Sequence, residues 1–308
     1  MQHVQQIRGQ GMDLRAILMG VAFAVMWASA FSSTRMIVTE APPLTALALR
    51  FALSGVIGIA IARAMGQHWR GLDRAQWRAV VVLGLCQNAL YLGLNWVAMQ
   101  WIEAGLASII AASMPLMVAF LGWVWLGDRL RPMGILGLVL GLVGVGIIMG
   151  ARLQGGSDPI GIAMGFVAAL ALAVATLTVR GASGGGNVMM VVGLQMLVGA
   201  GALCLIAPFL EGWDVTITPR LTLAFLYTVL VPGLLATWIW FLLVGRIGAV
   251  RAATFHFLSP FFGVTIAALL LGESLGAGDV LGVAIIMAGI LAVQLSREPA
   301  PVRRPPPA

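Results

Sequence analysis

Polar positions cut this chain into ten long apolar stretches, at roughly 15–34, 44–64, 76–99, 104–126, 133–150, 159–179, 188–209, 219–244, 250–271 and 279–295. As a helix, a run of about 20 residues crosses a hydrocarbon layer about 30 Å thick. These runs are too long, and too continuously apolar, for the alternating strands of a membrane barrel. A helix also satisfies its own backbone polar groups, which lipid cannot do. The pattern predicts an all-α membrane protein of ten transmembrane helices, called spans 1–10 below.

The pattern also repeats. Moving 145 positions along carries Gly127 onto Gly272, Pro115 onto Pro260, Asp128 onto Glu273 and Leu130 onto Leu275. The same shift carries Gly137 onto Gly282, Gly144 onto Gly289, Met19 onto Met164, Gly20 onto Gly165 and Arg35 onto Arg180. No gap is needed, so chance similarity between Ala- and Leu-rich helices does not explain it. The organisation predicted is a segment 1–14, a first five-helix repeat 15–150, a second repeat 159–295, and a tail 296–308 too rich in proline for a helix. Five spans is an odd number, so the second repeat enters the membrane from the opposite face. Inverted repeats around a midplane site are a recurrent design of secondary transporters.

Composition agrees. Sixty per cent hydrophobic residues, nine per cent charged ones and a mean hydropathy of +1.00 exclude a soluble globular domain. The net charge of +7 is carried by arginine alone, for lysine is absent. Such a charge would suit nucleic acid, but the arginines sit between spans, where they orient a membrane protein. With both termini in the cytoplasm, Arg35, Arg50, Arg152 and Arg220 fall in outer segments and the other fourteen of the eighteen in inner ones. The partners expected are therefore the lipid bilayer and a small molecule, not nucleic acid, and one chain suffices for ten helices. Arg8, Arg15, the first apolar run and Ala28-Ser29-Ala30 imitate a signal peptide, but cleavage would orphan one repeat, so span 1 is expected to be retained. Cys86 and Cys204 lie in apolar spans without metal-ligand spacing. They read as packing residues, and no metal or cofactor is expected.

Small residues recur in spans 5 and 10. Gly137 and Gly141, like Gly282 and Gly289, are placed to let helix backbones approach closely. Pro115 and Pro260 are predicted to kink spans 4 and 9, and Pro232 span 8, freeing carbonyls that need a cavity, water or neighbouring side chains. In span 3, Asn88, Tyr91 and Asn95 step along one helical face with Gln87 beside it. That face points either to a watery cavity or to interhelical hydrogen bonds. Trp27 lies too deep in span 1 for an interfacial belt, unlike Trp69, Trp77, Trp101 and Trp213. Trp27, Trp238 and Trp240 bear on the same cavity. His256, the one histidine in a span, would sense protons, bind substrate or bond Ser259 or a carbonyl. No carboxylate lies at the centre of a span, although proton-driven exporters usually need one. The candidate substrate-binding set is Trp27, Gln87, Asn88, Tyr91, Asn95, Trp238 and His256, with no catalytic residue.

SPFFGVTIAALLLGESLGAGDVLGVAIIMAGI, from Ser259, resembles the closing signature of EamA-type families of the drug/metabolite transporter superfamily. MPLMVAFLGWVWLGDRLRPMGILGLVLGLVG, from Met114, resembles the same signature in the first repeat, with Asp128 where Glu is usual. The chain is similar to the YddG-like amino-acid exporters within it. The resemblance implies a bacterial inner-membrane metabolite transporter whose cavity is built by spans 1, 3, 4, 6, 8 and 9. The four-span multidrug relatives use a glutamate in their first helix; here that helix carries Trp27 and Ser29.

The function expected is export of apolar or aromatic amino acids, or related metabolites, by alternating access. The alternatives are a multidrug exporter of lipophilic compounds and a membrane-embedded enzyme, for which His256 and Ser259 are a weak signal without an orienting acid. Orientation is testable. In a chain cleared of its two cysteines, a cysteine at Arg70 is expected to react with an impermeant thiol reagent from the cytoplasmic side alone, and one at Asp214 from the outside alone. The reverse labelling would overturn the orientation.

Overall fold

A computed structural model describes residues 14–128, 131–154, 156, 158–178, 187–248, 252 and 254–296. Almost all of the predicted 1–14 segment and 296–308 tail lie outside these. Among the described residues there are helices and connecting turns but no strand. Among the described residues nine helices are long and apolar enough to cross a membrane: Leu14–Val38, Pro43–Ala64, Arg74–Ala98, Ala104–Leu126, Pro132–Arg152, Pro159–Thr178, Val188–Leu210, Pro219–Ile247 and Ala277–Ser296. A shorter apolar helix, Phe255–Leu271, is span 9. The chain is a ten-helix membrane protein of two inverted five-helix repeats.

Spans 5 and 10 run along one another backbone to backbone. A Cβ added to Gly137 would stand 2.6 Å from the Gly289 carbonyl oxygen, and one on Gly289 2.7 Å from that of Gly137. Gly144 and Gly282 face each other likewise, each Cβ position 2.9 Å from the other's carbonyl. The repeat carries Gly137 onto Gly282 and Gly144 onto Gly289, so it exchanges these two contacts. Gly141 instead meets the Leu116 side chain, which seats span 4 on span 5. Spans 2 and 7 make the second close pair, through Gly55, Gly58 and Gly193.

Helix ends are completed across the repeat boundary. The Glu211 carboxylate, after span 7, accepts from the Leu44 and Thr45 amides at 2.6 and 2.9 Å and so caps span 2. Gln67, after span 2, returns the arrangement by accepting from the Met190 amide of span 7 at 3.0 Å. Glu273, after span 9, accepts from the Ala104 and Gly105 amides at 2.7 and 2.8 Å. These carboxylates meet the positive ends of helix dipoles and occupy otherwise orphaned donors. Burial pushes the Glu273 carboxyl up, and nearby Glu103 adds to this, while the two amides and Arg152 oppose it. Protonating it as pH falls from its raised value toward the ordinary carboxylate value therefore favours the folded state. Spans 4 and 9 both end on a left-handed glycine, Gly127 at φ +66° and Gly272 at φ +68°, a conformation other residues rarely take.

The prolines act differently from the predicted kinks. One helix of span 4 ends at Ala112 and a second starts at Met114 with Pro115 in its first turn. Pro260 occupies the same place in Ser259–Leu271, after a tight turn over Phe255–Leu258. Proline lacks an amide hydrogen, so the first turn of a new helix suits it better than an interior. Pro232 sits inside a π-helical segment, Val229–Leu235. Span 3 carries the equivalent segment, Leu83–Leu92, with no proline to announce it. Hydroxyls add bonds to the backbone beside these breaks: Thr237 donates to the Gly233 carbonyl at 2.8 Å, and Ser113 to the Ile110 carbonyl at 2.6 Å.

Replacing Gly137 with Ala is expected to cost about 1–3 kcal/mol, because a carbonyl rather than a movable side chain stands in the way. Gly146→Ala, where nothing lies within 4 Å, is expected to be neutral or slightly stabilising. Thermal unfolding in detergent by intrinsic fluorescence distinguishes the two.

Candidate functional site

The breaks in spans 3, 4, 8 and 9 leave a cavity of about 380 Å³ between the repeats. Its walls come from spans 1, 3, 4, 6, 8 and 9, with Gln294 added by span 10. Trp27, Tyr91, Met114, Trp240 and His256 shape it, and Ser108, Thr176 and Ser259 supply neutral polar groups. No carboxylate is among the described lining residues. The volume falls within the usual range for small-molecule sites, about 300–1,000 Å³.

One wall is an aromatic cluster around His256. Its ring centre lies 5.1 Å from Phe23, 5.8 Å from Trp27 and 5.3 Å from Trp240, the first two edge to face. Phe23 packs on Trp240 at 4.8 Å, which holds spans 1 and 8 together behind the histidine. Edge-to-face contacts of this kind fix ring orientation and add modest attraction. The Ser259 hydroxyl is buried and has no hydrogen-bond partner among the described residues. The bond between Ser259 and His256 that the sequence allowed is therefore not made.

The predicted residues divide. Trp27 and Tyr91 line both this cavity and a smaller recess above it, and Asn95 lines the recess. Asn88 is buried against span 7, where its Nδ2 donates to the Gln195 carbonyl at 2.9 Å. It takes the interhelical alternative rather than the cavity. Gln87 is half-buried and lines neither space. The cause is the π-helical turn over Leu83–Leu92, whose wider winding takes Asn88 out of the register that an α-helix would give it. Trp238 does not reach the cavity and is 52% exposed. Trp240 lines it instead, because residues two apart on a helix point to nearly opposite sides. Pro115 lines the cavity and Pro232 the recess, while Pro260 is buried and lines neither.

Arg50 does not belong to an outer segment. Counted among the outer-loop arginines, it lies within span 2, is only 8% exposed and lines the recess. The signal was available, since position 50 falls inside the predicted run 44–64 and a charge within a span is a functional marker.

The two faces of the bundle differ. Val118 and Thr176 carry the cavity toward the face where Arg78 donates to the Thr178 carbonyl. On the opposite face, Arg152 joins Glu103 of span 4 to Asp279 of span 10, the latter at 2.9 Å. Arg35 of span 1 donates to the Met99 carbonyl of span 3. The Thr228 hydroxyl donates to the Ser33 hydroxyl at 2.7 Å, and Ser29 and Tyr227 share a 2.7 Å hydrogen bond. These bonds draw the helices together on that side.

The sequence profile of the EamA-like transporter family matches residues 14–150 and again 159–295. The chain is 25% identical over 282 residues to an uncharacterized transporter, YvbV, of Bacillus subtilis (strain 168), covering 91% of each. It is 32% identical over 208 residues to a probable amino-acid metabolite efflux pump of Salmonella typhimurium, covering 61% of this chain and 66% of that one. It is 31% identical over 162 residues to the aromatic amino acid exporter YddG of Ancylobacter novellus, covering 52% and 54%.

Asn88→Ala is expected to lower stability by about 1 kcal/mol, the scale of one interhelical hydrogen bond, and to leave substrate KM unchanged. Tyr91→Ala is expected to raise KM. Thermal unfolding and transport kinetics on the same preparations check both.

Proposed function

Because the chain belongs to the EamA-like transporter family, we propose that it exports amino acids with apolar or aromatic side chains, or closely related metabolites, by alternating access across a bacterial inner membrane. The observation that carries this reading is the neutral, aromatic-lined cavity at Trp27. Trp27, Trp240 and Tyr91 offer flat surfaces to an apolar side chain, while the hydroxyls of Ser108, Thr176 and Ser259 meet polar groups. A strong cation would need a carboxylate partner, because a buried unpaired charge is costly. The relatives named for amino-acid efflux and for aromatic amino-acid export support the same class.

Alternating access follows from the symmetry. Each repeat supplies one broken helix and one π-helical span to the cavity, so an exchange of their conformations exposes it to the other face. The arginine-rich face is cytoplasmic on the positive-inside rule, and the face closed by Arg152, Glu103 and Asp279 is external. Without a carboxylate among the described lining residues, transport follows the substrate gradient. The aromatic cluster around His256 also favours a second reading, a carrier of lipophilic compounds.

Purified protein in proteoliposomes is expected to take up labelled phenylalanine saturably and indifferently to a proton gradient. Trp27→Ala is expected to reduce uptake roughly tenfold, the scale of losing one buried aromatic contact surface. Transport of lipophilic dyes without amino acids would favour the second reading. Gradient-driven uptake lost in His256→Ala would make the histidine a coupling site.

A further inference from the structure

Arg50 stands about 10 Å of helix rise from the start of span 2, well inside the membrane-spanning segment. Its guanidinium carbon is 5.1 Å from the Phe51 ring centre and 6.0 Å from that of Trp96. Among the described residues no carboxylate pairs with it, and its Nε has no hydrogen-bond partner. Two aromatic faces compensate part of a buried cation but satisfy none of its in-plane N–H donors.

Asn95 shares the predicament. It is 1% exposed, and neither Oδ1 nor Nδ2 has a partner. Both side chains line the same recess of about 50 Å³, together with Trp27, Tyr91 and Pro232. Liquid water takes about 30 Å³ per molecule, so the recess accommodates a group with one or two small polar atoms. Buried polar groups are almost always hydrogen-bonded. A recess with a cationic fork and a free amide is accordingly built for an acceptor that arrives from elsewhere. Trp27, Phe31 and Tyr91 line both recess and main cavity, so a ligand held in the cavity extends one end to Arg50.

We propose that Arg50 and Asn95 form the docking point for the substrate's carboxylate. The planar guanidinium matches a carboxylate bidentately, and the Asn95 amide donates to the same group. The apolar body of the substrate then lies against Trp27 and Tyr91 in the larger cavity. Loading converts an uncompensated cation within the membrane into an ion pair, and selects acids over their neutral amides. The inference takes the rest of the ligand from the amino-acid reading, but itself requires only a carboxylate.

The test is a tryptophan-fluorescence titration of the purified full-length protein with phenylalanine, phenylalaninamide, 3-phenylpropionate and 3-phenylpropionamide. Wild type is expected to bind each acid roughly tenfold to hundredfold more tightly than its amide, the scale of a charge-assisted hydrogen bond. Arg50→Gln is expected to erase that preference by weakening the acids alone. Arg50→Lys keeps part of it, and Asn95→Ala reduces it, which decides the matter should Arg50→Gln fail to fold. Equal binding of acids and amides by wild type, or equal loss of both in the variants, would overturn the carboxylate site. Phenylalanine transported without preference over its amide would sink the site and leave the amino-acid reading intact. An Arg50-dependent preference for 3-phenylpropionate with no binding of phenylalanine would keep the site and sink the amino-acid reading.

Discussion

An unpaired backbone amide or carbonyl in an apolar layer costs several kcal/mol, and most features of this protein answer that cost. It makes every long element a helix. It also governs where helices may end, and here the ends are completed by the other half of the molecule. Glu211 caps span 2, Gln67 caps span 7 and Glu273 caps span 4. The carboxylates conspicuously missing from the centres of the spans are spent at the ends, where donors and helix dipoles reward them.

The same cost restricts irregular backbone to protein-lined space. Spans 3, 4, 8 and 9 all depart from α-helix, and all four border the cavity. Each departure has its counterpart in the other repeat: the π-helical segments of spans 3 and 8, and the proline restarts of spans 4 and 9. A cavity and the irregular backbone around it therefore arise from one duplicated pattern. Spans 5 and 10, packed backbone to backbone through Gly137, Gly144, Gly282 and Gly289, form a close pair outside the cavity's broken helices. Small residues suit this role because apolar helices in lipid gain little from burying larger side chains against one another.

Charge is distributed with equal economy. Arg152 binds two carboxylates from different spans and closes one face. Arg50, by contrast, is buried among aromatic rings without an anion. Among the described residues that line the cavity and its recess there are hydroxyls, amides and rings but one cation, Arg50, and the proposed carboxylate site rests on that asymmetry.

Much of the architecture was legible in the chain itself. Ten apolar runs, an exact repeat offset and an odd number of spans per repeat suffice for the inverted ten-helix fold, because lipid permits few alternatives. The glycines of spans 5 and 10 could be read as contact points for a similar reason: only close backbone packing gives such spacing a use. Trp27 could be read from its depth, Tyr91 from the helical face it shares with Asn95, and His256 as the one histidine within a span. The assignment of Asn88 and Gln87 to the cavity rested on regular α-helical facing, which one unannounced π-helical turn undid; Trp238 was assigned together with Trp240, although residues two apart on a helix cannot both face it. Arg50 shows the same limit from the other side. A count of charges per loop says how a chain is oriented, but only the packed structure shows an arginine set against Phe51 and Trp96 and sharing a recess with Asn95. Periodicity determines which residues enter the membrane; which of them meet is decided by helix winding and by neighbours from the opposite repeat, and neither is a local property of sequence.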